Sequence, residues 1–171
     1  LLHGDDVKGF SVADGILSNN PVQKEGQPRI HYGNFRTKDS FEDFNLKLEV
    51  MVPEKGNSGI YLRGIYEIQV ADTYGKPLDS HHMGGIYSRV APAVMAEKPA
   101  GEWQTYDITL IDRHMTIVLN GNKFHDNVPM FPNGIRPTEN RPVSPGNTGL
   151  VVFHAGSLDT PGYGDRPGTS P

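Results

Sequence analysis

The chain has no cysteine, a single tryptophan, no long apolar run and no excess of basic charge. Without thiols it has neither disulfides nor thiolate metal sites, and this absence leaves the compartment open. No stretch approaches the roughly 18 apolar residues of a membrane span, so no spanning helix is expected. Sixteen Lys and Arg against 20 Asp and Glu give a formal net charge of −4, without the basic footprint of a nucleic-acid binder. Helical periodicity is also scarce, since no segment beyond about a dozen residues holds a 3.6 period. Twenty Gly and 14 Pro among 171 residues exclude a helical bundle, because both residues weaken helix interiors.

What is present is a succession of short alternating runs between turn signals, at a length that suits one domain. The expected strands are Phe10–Val12, Ile16–Ser18, Ile30–Tyr32, Phe35–Thr37, Phe44–Val52, Gly59–Arg63, Tyr66–Ala71, Gly85–Tyr87, Trp103–Ile111, His114–Leu119, Asn122–Asn127 and Gly149–His154. Phe44, Leu46, Leu48 and Val50 alternate with Asn45, Lys47 and Glu49, which places the apolar set inward. Asn120-Gly121 between two extended runs calls for a type I′ hairpin turn. The fold class is therefore all-β, an antiparallel sandwich of two sheets over residues 1–158. Residues 159–171 form a Gly/Pro-rich tail. Asp72–Gly85 and Met130–Asn147 read as long loops that shape a ligand groove at the rim of one sheet.

The densest chemistry lies in Asn57–Asp72, NSGIYLRGIYEIQVAD. Tyr66, Ile68 and Val70 take one face of a strand and Glu67 and Gln69 the other, two residues and about 7 Å apart. Tyr61 and Arg63 share a face of the preceding run. A sheet surface bearing Tyr, Arg, Glu and Gln suits a polar, hydroxyl-rich ligand such as a sugar. The bland alternative is a solvated sheet face.

Several motifs then occur in a fixed order. Gly56-Asn57-Ser58-Gly59-Ile60-Tyr61-Leu62-Arg63 is followed by Tyr66-Glu67-Ile68-Gln69-Val70-Ala71-Asp72 and Gly84-Gly85-Ile86-Tyr87. Next come Ala96-Glu97-Lys98-Pro99-Ala100-Gly101-Glu102-Trp103-Gln104-Thr105-Tyr106-Asp107 and the hairpin from Leu119 to Val128. With the opening Leu2-His3-Gly4-Asp5-Asp6-Val7-Lys8-Gly9-Phe10, this series resembles the 3-keto-disaccharide hydrolase family over about Leu1 to Val128. The resemblance implies a concanavalin A-like lectin/glucanase sandwich of jelly-roll type. Toward the C-terminus Gly149–Gly156 fits loosely, and the closing strand falls to Ser157–Leu158 or is altered.

The resemblance also implies a chemistry. A ketone at C3 of a sugar acidifies the C2 hydrogen, a base removes it, and the glycosidic oxygen leaves C1; water addition then completes net hydrolysis. The residue types that suit the base and acid are found at Glu67, Asp72, His81, His82 and His154; of these Glu67, His82 and His154 are the catalytic candidates, and the substrate-binding candidates are Tyr61, Arg63, Gln69, Asp72, Tyr87 and Trp103. Arg63 or a divalent cation, the candidate cofactor, would stabilise the enolate; no metal-ligand spacing is visible, and the adjacent His81-His82 pair also reads as an exposed loop. Asp72 equally orients its loop through an Asx-type turn. Trp103, on one face with Thr105 and Asp107, reads as a sugar platform or as core. His125 and Asp126 read as surface residues.

Two functions from different classes follow. One is a glycoside-cleaving enzyme; the other is a non-catalytic carbohydrate-binding or structural accessory module on the same sandwich. The partner is a carbohydrate, a 3-keto-sugar glycoside in the first case, and the tail is a candidate protein-binding segment. A chain starting Leu-Leu-His reads as a mature form, which makes a periplasmic or extracellular location the expectation.

Overall fold

The computed structural model describes residues 10–19, 26 and 34–131, together with the backbone of short strands at 2–3, 152–153 and 157–158. The strands are β1 (Leu2–His3), β2 (Phe10–Ala13), β3 (Ile16–Asn19), β4 (Phe35–Thr37), β5 (Phe44–Met51) and β6 (Gly56–Leu62). They continue with β7 (Tyr66–Ala71), β8 (Trp103–Ile111), β9 (His114–Leu119), β10 (Asn122–Pro129), β11 (Val152–Phe153) and β12 (Ser157–Leu158). Among the described residues there is no helix, and so none long and apolar enough to cross a membrane. The expected strand at Ile30–Tyr32 and all but the first two residues of the loop Met130–Asn147 lie outside the described residues, as does the tail.

Every pairing is antiparallel. A six-stranded sheet runs β1-β4-β11-β6-β12 with β7 on the other edge of β6, a four-stranded sheet runs β10-β9-β8-β5, and β2-β3 is a separate hairpin. In the long pairs the register follows the alternation, because a one-residue slip would turn every apolar side chain outward. Thus Leu46 faces Ile108 and Leu48 faces Tyr106 across β5 and β8, while Ile60 faces Ile68 across β6 and β7.

The inner faces of the two large sheets meet in one core. Ile60, Leu62, Tyr66, Ile68 and Val70 come from one sheet, and Tyr106, Ile108, Leu110, Met115, Ile117 and Leu119 from the other. Phe44, Leu46, Leu48 and Val50 line up against this cluster half-buried, and Asn45, Lys47 and Glu49 alternate outward as expected. The Tyr106 hydroxyl crosses the interior and donates to the Gln69 carbonyl at 3.0 Å, tying β8 to β7. Full burial pushes that phenol far up, so it acts as a permanent donor.

The Asn120-Gly121 turn has φ of 51° and 80°, the positive pair that a type I′ hairpin requires. Asn120 also bonds away from the turn: its Nδ2 donates to the Ala96 carbonyl at 2.8 Å and to Gln104 Oε1 at 2.6 Å. This anchors the long 91–102 connection to the hairpin. At the other end, the closing stretch is two short strands, β11 against Ile60 and Tyr61 and β12 against Gly56 and Asn57. The closing strand thus falls at Ser157–Leu158.

Some expectations need correction. Gly85–Tyr87 is not a strand but a single bridge at Ile86, because the chain turns back at Ser88 (φ 56°) and Val90 N donates to Ile86 O. β6 begins three residues earlier than the alternation suggests, at Gly56. His125 is not a surface residue: it is 3% exposed and its Nε2 lies 3.2 Å from the Gly84 carbonyl. Its strand shifts register between Lys123 and His125 and again before Val128, so Phe124 and His125 are buried in succession. A bulge breaks the period-2 rule, and alternation cannot announce it.

Burial lowers the affinity of His125 for a proton, with the Gly84 carbonyl opposing that effect. Its folded pKa therefore lies below the unfolded value of about 6.5, so the unfolded chain binds the extra proton. Stability from this group is complete above that unfolded value and is lost as pH falls through the folded one. Urea unfolding between pH 7.5 and 5 should show the loss, with a slope of at most about 1.4 kcal/mol per pH unit from one proton. His125→Gln should flatten it; an unchanged slope would remove His125 as the cause.

Candidate functional site

The site is built on the outer surface of the six-stranded sheet. Ile60, Leu62, Ile68 and Val70 turn into the core, so their neighbours Tyr61 and Glu67 turn outward. β6 and β7 place Tyr61 opposite Glu67, and Gly59 opposite Gln69. The Tyr61 hydroxyl donates to Glu67 Oε2 at 2.8 Å. Glu67 lies flat across the sheet because Gly59 has no side chain; a Cβ there would collide with Glu67 Oε1. Both residues are half-buried. Burial first, then the hydrogen bond to Glu67 and its negative charge, push the Tyr61 phenol up to about 12.

A third row is added by the loop after β7. Ile86 bridges Ile68, Gln69 N donates to Gly85 O at 2.9 Å, and Tyr87 N donates to Glu67 O at 2.9 Å. Tyr87 therefore stands across from Glu67 on the side away from Tyr61, outward because Ile86 is fully buried. Tyr61, Glu67 and Tyr87 form one transverse row. Gly85 is required in the row beside it, where a Cβ would meet the Ser80 and His82 carbonyls.

Beyond Tyr87 sits His81, its ring edge-on to the tyrosine at 4.7 Å between centroids. His81 Nδ1 is 2.7 Å from Asp79 Oδ1 and Nε2 is 2.9 Å from Ser88 Oγ. The His81 backbone N–H also donates to Asp79 Oδ1, at 2.8 Å. Those bonds, backbone first, hold the Asp79 carboxyl below its usual range. His81 was among the acid–base candidates in the sequence, whereas Asp79 and Ser88 were not proposed as site residues. The available signal was the Asp-x-His spacing, in which the carboxylate reaches the backbone two residues on.

The other sequence-derived candidates separate from this row. His82 turns the opposite way from its neighbour: its Nδ1 donates to the Pro77 carbonyl at 2.7 Å, and its ring lines a narrow cleft with Glu97, Met95 and Phe124. Burial holds the Glu97 carboxyl above its usual range against the opposing bond from Thr73 at 2.9 Å. Gln69 does not sit on an open face. It is 3% exposed, its Nε2 donates to Asn57 Oδ1 at 3.1 Å, and its Oε1 has no hydrogen bond among the described residues.

Arg63 does not share a face with Tyr61, because β6 ends at Leu62 and Arg63 adopts a φ of 53° in the turn. Its guanidinium, 7% exposed as a residue, donates to the carbonyls of Asp112 and Glu42 and approaches Asp43 Oδ1 at 3.3 Å. It clips three turns together. Asp72 Oδ2 accepts from Lys55 N at 2.8 Å and Asp72 N donates to Gly56 O, so it closes the β5–β6 turn rather than its own loop. Trp103 is 40% exposed, on the outer face of the four-stranded sheet and thus on the opposite side of the sandwich from Glu67. His154 lies outside the described residues. Among the described residues no three His, Asp or Glu side chains converge to hold a metal ion.

The Tyr61–Glu67 pair predicts its own spectroscopic signature. Ultraviolet titration should find one phenol near 12. Glu67→Gln should lower it only in part, since burial is the larger cause. Gly59→Ala should lower it too, because the added Cβ would displace the Glu67 side chain from Cγ outward. A phenol unmoved by both substitutions would contradict the pairing.

No curated protein matches the chain. Among solved structures it is similar to three candidate glycosyl hydrolases from Parabacteroides distasonis ATCC 8503. The first is 24% identical with a TM-score of 0.65, over 89% of this chain and 73% of the other. The second is 20% identical with a TM-score of 0.65, over 88% and 80%, and the third 22% identical with 0.62, over 90% and 84%. At such identities the likeness concerns the fold, and it agrees with the sandwich described above. The family match does more, running past the hairpin to the short closing strand: with residues 2–157 matched, the chain belongs to the family of 3-keto-alpha-glucoside-1,2-lyase-like domains.

Proposed function

We propose that this protein cleaves 3-keto-glycosides, with Glu67 as the base that removes the C2 proton. The observation that carries the reading is the Glu67 carboxylate itself, half-buried on a rigid strand, laid over Gly59 and oriented by the Tyr61 hydroxyl at 2.8 Å. Family membership supports glycoside chemistry, and the 3-keto substrate is the form in which a single carboxylate has a proton acidic enough to take. With the ketone at C3, the electron pair left at C2 delocalises onto the ketone oxygen. The C1–O bond then breaks toward the leaving sugar, and water adds across C1 and C2.

Glu67 is positioned by Tyr61 before the reaction. Once Glu67 has taken the proton it accepts less strongly, and the Tyr61 hydroxyl, protonated at neutral pH, is released to donate to the developing enolate oxygen. Tyr87 flanks the sugar on the other side of Glu67. No partner carboxylate lies on the same face of β7, where Gln69 is an amide and Ala71 follows, which disfavours a double-displacement glycosidase. The described residues supply no donor set for a divalent cation, and no step is derived through one. Catalysis in the periplasm or outside the cell, where oligosaccharides are met, completes the reading.

Incubation with a 3-keto-disaccharide, with and without a chelator, tests it. Turnover should fall about 100-fold or more in Glu67→Gln with the fold intact, the scale of a lost general base. Tyr61→Phe should lose less. Equal turnover in Glu67→Gln would retire Glu67 as the base. Sugar binding by a parent protein that turns nothing over would move the assignment to a non-catalytic carbohydrate module.

A further inference from the structure

From the loop geometry we infer that His81, oriented by Asp79, is the acid that protonates the departing glycosidic oxygen. This rests on the reading of Glu67 as the base. A sugar alkoxide is a poor leaving group and needs a proton as the C1–O bond breaks, at the moment when Glu67 is engaged with the C2 hydrogen. A second acid–base group is therefore required within reach of the same sugar. His81 lies directly beyond Tyr87, whose ring it contacts edge-on and whose backbone is bonded to Glu67.

The contacts around His81 suit an acid that must recover its proton. Asp79 Oδ1 takes the Nδ1–H at 2.7 Å, which fixes the tautomer and the ring's orientation. Nε2 is left as the working nitrogen, and it is held by the Ser88 hydroxyl at 2.9 Å until a substrate oxygen takes that place. Ser88 reaches it from a turn with a φ of 56°, a conformation unfavourable for serine. Asp79 is a positioning residue, and it stays ionised because the His81 backbone and ring both donate to it.

The proton balance closes without an outside reagent. The C2 proton passes to Glu67, the C1–O electron pair goes to the leaving oxygen, and that oxygen takes the Nε2 proton of His81. A C1–C2 double bond is left. In hydration the neutral imidazole takes a proton from water as hydroxide adds to C1, and Glu67 returns its proton to C2. Both groups end as they began, and nothing is oxidised or reduced.

The leaving group separates this inference from the one beneath it. A 4-nitrophenyl 3-keto-glucoside expels a phenolate that needs no acid, whereas a 3-keto-disaccharide expels an alkoxide. His81→Gln should lower disaccharide turnover by about 100-fold and nitrophenyl turnover by less than about tenfold, with the melting temperature unchanged because the side chain is exposed. Asp79→Asn, which leaves the ring without its orienting carboxylate, should lower disaccharide turnover and leave nitrophenyl turnover unchanged. Equal losses on both substrates, or none, would overturn the acid role while leaving Glu67 in place. A parent protein inactive on both substrates would overturn the Glu67 reading, and this one with it. A readout without substrate is the ring nitrogen shifts of neutral His81, expected to show the Nδ1–H tautomer; the Nε2–H tautomer would refute the arrangement.

Discussion

A carboxylate lies on the outer surface of the six-stranded sheet where a neighbouring strand would normally place a side chain. Glu67 occupies the space above Gly59, and any Cβ there would displace it. The register of β6 against β7 puts that gap diagonally beside Glu67 and puts Tyr61 directly opposite, so the hydroxyl meets the carboxylate at 2.8 Å. The register is fixed in turn from the inner face, where Ile60 must face Ile68 in the core. The apolar packing between the sheets thus sets the position of the polar pair outside them. Tyr106 adds a lock from below, since its hydroxyl ends on the carbonyl of Gln69, two residues beyond Glu67.

The loop after β7 completes the arrangement by using backbone instead of a full strand. Only Ile86 bridges β7, yet the amides of Gln69, Gly84 and Tyr87 all bond across this edge. The exposed edge of a sheet is thereby covered, which would otherwise invite pairing with another chain. The same short bridge aims Tyr87 outward and sends the two adjacent histidines apart. His81 goes to the Tyr87 side, and His82 goes to the cleft by Glu97. One peptide step separates an imidazole beside the carboxylate row from one that is part of the packing under the loop.

The alternation in β5, β7 and β8 made the sandwich and its core legible in the sequence, because period 2 records which face meets water, while it left Trp103 open between an outward and a core position. The Asn120-Gly121 turn was legible for a different reason: only residues tolerant of positive φ fit there. Glu67 and Tyr61 could likewise be placed on one outward face. What alternation could not convey was depth. Gln69 has the parity of an exposed residue and is buried, and Arg63 lies one residue past the end of its strand, where parity has no meaning. His125 escaped because a bulge shifts the count, and the His81–Asp79–Ser88 contacts depend on a loop path that no periodicity encodes. Parity reads direction along a regular strand, and each miss lies where regularity ends or where another segment covers the face.

The two outer faces of the sandwich show why polarity alone does not mark a site. On the four-stranded sheet Asn45 donates to Asp107 at 2.6 Å and to Thr109 at 2.8 Å, and Lys47 pairs with Asp107 at 3.0 Å. Asn45 first and Lys47 second hold that carboxyl below its usual range, and the ladder is largely open to water, with Lys47 73% and Asp107 39% exposed at the side chain. Its groups satisfy one another and are screened, so little free energy is stored there for a ligand to use. On the six-stranded sheet the corresponding groups are half-buried, and the nearest hydroxyl has its phenol pushed up to about 12. A proton moved in that setting changes the energy of its neighbours far more than one moved on the open ladder, because less water is present to compensate. The difference lies in solvation, and it comes from what each sheet carries on its outside: a bare ladder on one, and on the other a loop folded beside β7 with Glu67 lying over a glycine.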